Sequence, residues 1–256
     1  MTLTTVGDVM VDVVSERLPA AGERAHGNVR LRAGGSAVNA ALTAVELGAD
    51  ARVVGRIGRD AAGDLVMSTL QERGIVAHLA RDEELPTGTA VALHDAVVAD
   101  RGANAHLSPD DIPSPLHGDA LLVSGFALFQ PGSRYAARAA LDLFDGRWTA
   151  VDLASPRLAV LDFDAKVVFA TEEEARAVPG IEGRFEIVCI KRADGASAQR
   201  ARQVIDVPSP LVVRTSPFGA GDAFAAAFLV ALVRGDDLAA ALERACAAGA
   251  AAAAAR

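Results

Sequence analysis

Ala33-Gly34-Gly35-Ser36-Ala37-Val38-Asn39 opens an apolar run that continues to about Leu47 and stops at Gly48. Two glycines, then small residues, then apolar residues at helical spacing read as a loop feeding a helix, with Gly48 as its C′ residue. What lies on either side decides the fold. Upstream, residues 3–14 are apolar and β-branched and read as one buried strand, with Gly7, Asp8 and Asp12 set into it. Downstream, residues 51–57 read as another strand, and Asp60 as the cap of a helix that ends at Gly74. Strand, helix, strand, helix is the pattern of a parallel sheet, so an α/β fold is expected.

Further along the chain the signals are shorter. Residues 15–32 are polar and punctuated by Gly and Pro, and residues 87–99 alternate like a strand pair around His94 and Asp95. Together they predict a small separate sheet. Pro109, Pro113 and Pro115 break the chain. Residues 120–124, 148–152, 166–170 and 186–191 read as strands. Residues 133–144 read as an amphipathic helix, 171–178 as a short acidic one, and 219–234 with 237–252 as a closing helix pair. No repeat or linker divides the sequence, so residues 1–256 are expected to form one domain.

Composition narrows the function. Hydrophobic residues make up 51% and aromatics only 4%, so small aliphatic side chains must build the core. A formal net charge of −8 without a basic cluster argues against a nucleic-acid partner. It also means that any phosphate must be held by local dipoles and a metal. Cys189 and Cys246 sit far apart in apolar runs and read as small core residues. His26, His78, His94, His106 and His117 lack ligand spacing, Asp82-Glu83-Glu84 reads as a solvated loop, and Arg56 and Arg59 as loop residues near the sheet edge. No apolar run suits a membrane span or a leader, so a cytoplasmic protein is expected.

The chemistry is sharpest at Phe218-Gly219-Ala220-Gly221-Asp222-Ala223-Phe224, just before a long apolar helix. Glycines at a helix N-terminus let N–H groups converge on an anion. Asp222, in the first turn, is placed to take a proton from an attacking hydroxyl while those N–H groups stabilise phosphate charge. Read by itself, the same run also fits a plain turn with an N-terminal charge. Asp12, Gly34, Gly35 and Asn39 together make a polyol pocket: a carboxylate, an amide and closely approachable backbone. A carboxylate in a buried strand is costly unless paired or functional.

These residues resemble a family. Gly7-Asp8-Val9-Met10-Val11-Asp12, Gly34-Gly35-Ser36-Ala37-Val38-Asn39-Ala40, Gly55-Arg56-Ile57-Gly58-Arg59-Asp60 with Gly63, Asp100-Arg101-Gly102-Ala103-Asn104, Thr171-Glu172-Glu173-Glu174-Ala175 and the Gly219–Phe224 run stand in the order of the ribokinase-like (PfkB) carbohydrate kinases. The resemblance implies a doubly wound, mostly parallel sheet flanked by helices, with a small β-sheet lid formed by about 15–32 and 87–107. It implies transfer of the γ-phosphoryl of ATP, with Mg²⁺, to a hydroxyl of a small sugar or sugar acid, and a homodimer through the lid. Carried over by position, Asp12, Gly34, Gly35, Asn39 and Arg101 would bind the substrate. Asp222 would be the base and Gly219, Ala220 and Gly221 the anion hole. Thr171, Glu174, Lys191 and Gly195 would border the nucleotide together with Gly219 and Gly221, with Glu174 near the metal.

Several places depart from the family's pattern. Ser216-Pro217-Phe218 replaces an Asp-Thr-x run, which puts a monovalent-cation requirement in doubt. Thr171 stands where an Asn is usual, and Ala193 where a glycine is. The chain is short between Asp152 and Lys166 and after Gly249. The nucleotide side is thus more altered than the sugar side. Two alternatives stay open: a catalytically weak sugar- or nucleoside-binding relative, and a nucleoside kinase of the same fold, although few aromatics are present to wall a base.

Overall fold

The computed structural model describes residues 1–15, 22–93, 96–157, 160–212 and 218–254. His94, Asp95, Ser216 and Pro217 lie outside the described residues. The first two strands, β1 (Thr2–Val6) and β2 (Met10–Ser15), divide what the sequence presents as one apolar run. They belong to different sheets. The chain turns out of the main sheet at Gly7, where a Cβ would press on the Ser124 side chain at 2.7 Å and on Ser36 Oγ at 2.8 Å. Apolar content alone does not reveal such a break, because both halves are buried.

After β2 come β3 (Val29–Gly34), α1 (Ser36–Glu46), β4 (Asp50–Gly58), α2 (Ala61–Glu72) and β5 (Val76–Asp82). Next are β6 (Gly88–Leu93), β7 (Ala96–Asp100), β8 (Ala120–Ser124), α3 (Gly125–Phe129), α4 (Arg134–Leu143) and β9 (Trp148–Asp152). The chain closes with β10 (Val167–Thr171), α5 (Glu172–Ala177), β11 (Ile187–Lys191), β12 (Gly195–Arg200), β13 (Gln203–Pro208), α6 (Ala220–Arg234) and α7 (Leu238–Ala254). The main sheet runs β13-β12-β11-β10-β9-β8-β1-β4-β5. From β11 to β5 every neighbour is parallel, and β12 and β13 add an antiparallel edge hairpin. The smaller sheet runs β3-β2-β6-β7.

Helices cover both faces of the main sheet, and the strand side chains alternate between them with period two. Leu3, Val53, Leu122, Ala150 and Phe169 pack with residues of α1, α2, α6 and α7. Val6, Val54, Leu121, Val151 and Val168 pack with residues of α3 and α4. Ala37, Ala40, Ala41 and Ala44 on α1 are all buried, so the low aromatic content appears as a close helix–sheet approach. The aromatics present are concentrated where α6 must be fixed. Phe169 on β10 meets Phe224 and Phe228 edge-on, with ring centroids 6.1 and 5.5 Å apart. Such pairs add about 0.5–1.5 kcal/mol each beyond their burial. They hold the first turn of α6 above the carboxyl ends of the parallel strands, where open α/β sheets form their ligand crevice.

Two surface readings are corrected. Asp82 is 2% exposed; it accepts from Arg56 Nε at 2.8 Å, from the N–H groups of Glu84 and Leu85, and faces His106 Nδ1 at 3.0 Å. These partners hold its carboxyl well below the usual range. Arg56 is a strand residue that also grips Asp111, not a loop residue. An acid run beside a strand end cannot show from sequence which member turns inward. Cys189 and Cys246 are buried free thiols, as expected.

Candidate active site

The turn into α6 forms because Gly219 adopts φ +79°, a left-handed conformation that side chains disfavour, and caps the helix. The N–H groups of Ala220, Gly221 and Asp222 follow in the first turn, where no helical carbonyl lies four residues back to receive them. The helix dipole adds its positive end. Gly221 sits close to the strand-end wall: a Cβ there would lie 3.3 Å from Lys191 Nζ and 3.7 Å from Asp152 Oδ2.

Asp222 is half-buried in that turn. Asn39 Nδ2 donates to its Oδ2 at 3.0 Å, which joins α1 to α6 at the point where both begin. Burial pushes the Asp222 carboxyl up to about 7. The Asn39 hydrogen bond and Lys191 oppose the shift, and the charges of Asp152 and Asp12 add to it. An acid poised there is matched to proton transfer near neutral pH.

Asp12 is 1% exposed on β2, directly across from Arg32 on β3. Burial raises it to about 6, with Arg32 pulling the other way. Gly34 lies against the Asp12 carboxyl so closely that any side chain there would overlap it. Gly35, at φ +86°, packs on the carbonyl of Asp8 and turns the chain into α1. The carboxylate, the two glycines and Asn39 therefore share one corner, with Asp222 beside Asn39.

The other wall is built from the last residues of three adjacent parallel strands. Asp152 ends β9, Thr171 ends β10 and Lys191 ends β11. Lys191 Nζ donates to both Asp152 oxygens, at 2.6 and 2.8 Å. Burial alone would lower the ammonium, but Asp152, with Glu174 and Asp222 behind it, holds it above its ordinary value. Thr171 and Glu174 form a reciprocal capping box at the start of α5, with Thr171 N–H donating to Glu174 Oε2 at 2.7 Å. Burial raises Glu174 despite that bond. Gly195 opens β12 opposite Pro208, and its contacts are those of a hairpin, with its carbonyl accepting from Arg192 N–H.

Arg101 is placed differently from the other residues singled out. It pairs bidentately with Asp8, at 2.9 and 2.6 Å, and also donates to Ser133. Asn104, from the same run, exchanges two hydrogen bonds with the backbone of Val9. Together they clamp the turn between β1 and β2. Sequence reasoning missed Asp152 and Arg32. Asp152 carried the signal that exposed Asp12, a carboxylate within a buried strand. Arg32 carried none, since cations on polar strands are ordinary. Among the described residues no cluster of His, Cys, Asp or Glu could hold a metal unaided, and no helix is long and apolar enough to cross a membrane.

The chain is similar to several sugar kinases. A 5-dehydro-2-deoxygluconokinase of Shouchella clausii is 28% identical, over 80% of this chain and 75% of that protein. A fructokinase of Escherichia coli is 27% identical, over 89% and 83%. The structure of a Vibrio cholerae fructokinase in its fructose-, ADP- and calcium-bound form superposes with a TM-score of 0.81 at 23% identity, covering 100% of this chain and 93% of that one. The sequence pattern described as pfkB family carbohydrate kinase matches residues 2–256, and the chain belongs to that family.

Proposed function

We propose that this protein is an ATP-dependent kinase that phosphorylates a hydroxyl of a small sugar or sugar acid, with Asp222 as the base. The observation that carries the reading is the meeting of Asn39 and Asp222 beside the Gly219–Gly221 loop. It sets a titratable carboxylate next to an array of N–H donors, which a pure binding protein does not need.

In this reading Asp12, Asn39 and the backbone at Gly34 and Gly35 hold the acceptor. Asp222 takes the hydroxyl proton as the oxygen attacks phosphorus, and ADP leaves. The N–H groups of the α6 turn stabilise the charge on the transferred group, and phosphoryl transfer depends mainly on such positioning. Lys191 adds a fixed cation beside the loop. The donor set fits a metal that arrives with the nucleotide: Glu174 would be the protein carboxylate beside Mg²⁺. When bound, Mg²⁺-ATP supplies the phosphoryl group and neutralises its charge. The small sheet is proposed to act as a lid that excludes water. Its outer residues Val29, Leu31 and Val98 are exposed, and a second copy of the chain is the proposed cover.

The test is a panel of sugars, sugar acids and nucleosides with Mg²⁺-ATP, read as ADP formed and as ligand-induced thermal shift. ADP with one acceptor, lost in Asp222→Asn, establishes the activity. Thermal stabilisation without ADP establishes a binding relative instead. Sedimentation of the protein against a Leu31→Glu variant tests the dimer.

A further inference from the structure

Resting on the kinase reading, we infer that the acceptor carries a carboxylate and that Arg32 is the residue that recognises it. Arg32 stands directly opposite Asp12 in the β2–β3 ladder, so the two side chains leave the same face of the small sheet. That face borders the site: Gly34 packs on the Asp12 carboxyl and leads through Gly35 into α1, whose Asn39 bonds Asp222, and the Arg32 guanidinium lies 5.6 Å from the ring centre of Phe218, the residue before Gly219.

Arg32 and Asp12 are not a finished pair. Arg32 Nε stands 3.5 Å from Asp12 Oδ2. Both atoms are buried, and neither has a hydrogen-bond partner. Two facing orphans are unusual in a folded interior. The same protein shows what a completed pair looks like, in Arg101 on Asp8 at 2.6 and 2.9 Å. Arg101 and Lys191 are each held by both oxygens of a carboxylate; Arg32 is not. A sugar acid would complete the arrangement. One hydroxyl donates to Asp12 Oδ2, and the planar carboxylate matches the guanidinium fork. The crevice already holds the carboxylates of Asp12 and Asp222, so an anionic acceptor needs a cation there. One guanidinium suits a monoanion with two coplanar oxygens better than a phosphate dianion.

The experiment compares kcat/KM for gluconate and its 2-keto-3-deoxy derivative with that for glucose and glucitol, and with that for fructose 6-phosphate. It uses the intact protein and its Arg32→Gln and Arg32→Lys variants. Calorimetric binding of the same compounds without nucleotide runs alongside. The expected result is a preference for an acid of at least about 10-fold in the parent, since a site built around a polar partner rejects analogues lacking it. Arg32→Gln should lose roughly 10²-fold on the acid and little on neutral sugars, and Arg32→Lys should recover part of the loss. Should the Gln variant prove poorly folded by thermal melting, the Lys variant decides by the same acid-against-neutral ratio. Equal use of acid and neutral sugar, equal losses on both, or a preference for the sugar phosphate overturns the proposal. If no compound yields ADP, the kinase reading fails separately. Acid binding that depends on Arg32 then still upholds the carboxylate site, and absent acid binding removes it.

Discussion

The two walls of the crevice both carry buried carboxylates and treat them differently. On the strand-end wall, Asp152 is gripped by Lys191 through both oxygens, and Glu174 closes a capping box with Thr171. On the wall built from the small sheet and α1, Asp12 faces Arg32 at 3.5 Å with an orphaned oxygen; Asp222, on α6 where the walls meet, accepts a side-chain hydrogen bond from Asn39. A wall that satisfies its own charges is preorganised before any ligand arrives. A wall that leaves buried polar atoms unpaired has free energy to gain from a ligand. Under the proposed kinase reading, that difference favours the second wall for the acceptor and makes the first a fixed electrostatic frame.

The largest expected effect breaks the chemistry where the walls meet. Asp222→Asn should lower kcat by roughly 10²–10⁴-fold, the range for a positioned acid–base group, with acceptor affinity nearly unchanged. In the parent, log kcat/KM should rise with pH and level off above about 7, because the base must be unprotonated. A profile flat from pH 5 to 9 would remove Asp222 from that role.

Next comes the frame. Lys191→Met leaves Asp152 buried without its cation, and breaking such a pair costs roughly 3–5 kcal/mol. Asp152→Asn added to it should restore most of the stability in denaturant unfolding, since no lone charge remains, yet leave activity low. Recovery of both would make the pair purely structural and erase the distinction between the walls.

On the acceptor wall, Asp12→Asn should raise the acceptor KM by about 10- to 100-fold, the loss of one or two hydrogen bonds to a charged group. It should also stabilise the free protein, in a pH-dependent way. Unfolded, Asp12 loses its proton near 4; folded, it keeps it to about 6. The folded chain therefore binds more protons in that window, and its stability falls as pH rises through it. The variant should melt a few degrees above the parent at pH 8, on the scale of about 2–4 °C per kcal/mol, and show no gain at pH 4. A gain equal at both pH values would show that the carboxyl is not strained by burial.

Several residues behind this contrast could be read from the chain; the pairings that create it could not, for definite reasons. The helix starts at Gly35 and Gly219 were legible because left-handed glycine and a following apolar run are local signals. Asp12, Asn39 and Asp222 were legible because polar groups set into apolar runs need an explanation. The meeting of Asn39 and Asp222 across 183 positions of sequence is a property of the sheet order. Pairings such as Arg101 with Asp8 and Lys191 with Asp152 were invisible for the same reason: a cation's partner is chosen by topology. The β12–β13 hairpin escaped because its alternation is mixed with charged edge residues.

The smallest effect tests whether the strand-end wall is altered or merely different. Thr171 occupies a position where the family usually has Asn, and here it serves as N-cap, accepting from Glu174 N–H at 3.2 Å. Asn caps a helix as well as Thr does, so Thr171→Asn should leave the melting temperature within about 2 °C. The added amide is one more donor toward the nucleotide phosphates, and one neutral hydrogen bond amounts to about 0.5–1.5 kcal/mol. The KM for ATP should therefore fall by roughly 2- to 10-fold while the acceptor KM stays put. If the ATP KM does not move, the hydroxyl already does what the amide would, and the frame is complete with Thr171 in place. If the acceptor KM moves instead, the two walls are coupled through Glu174 and Lys191, and the division between them fails.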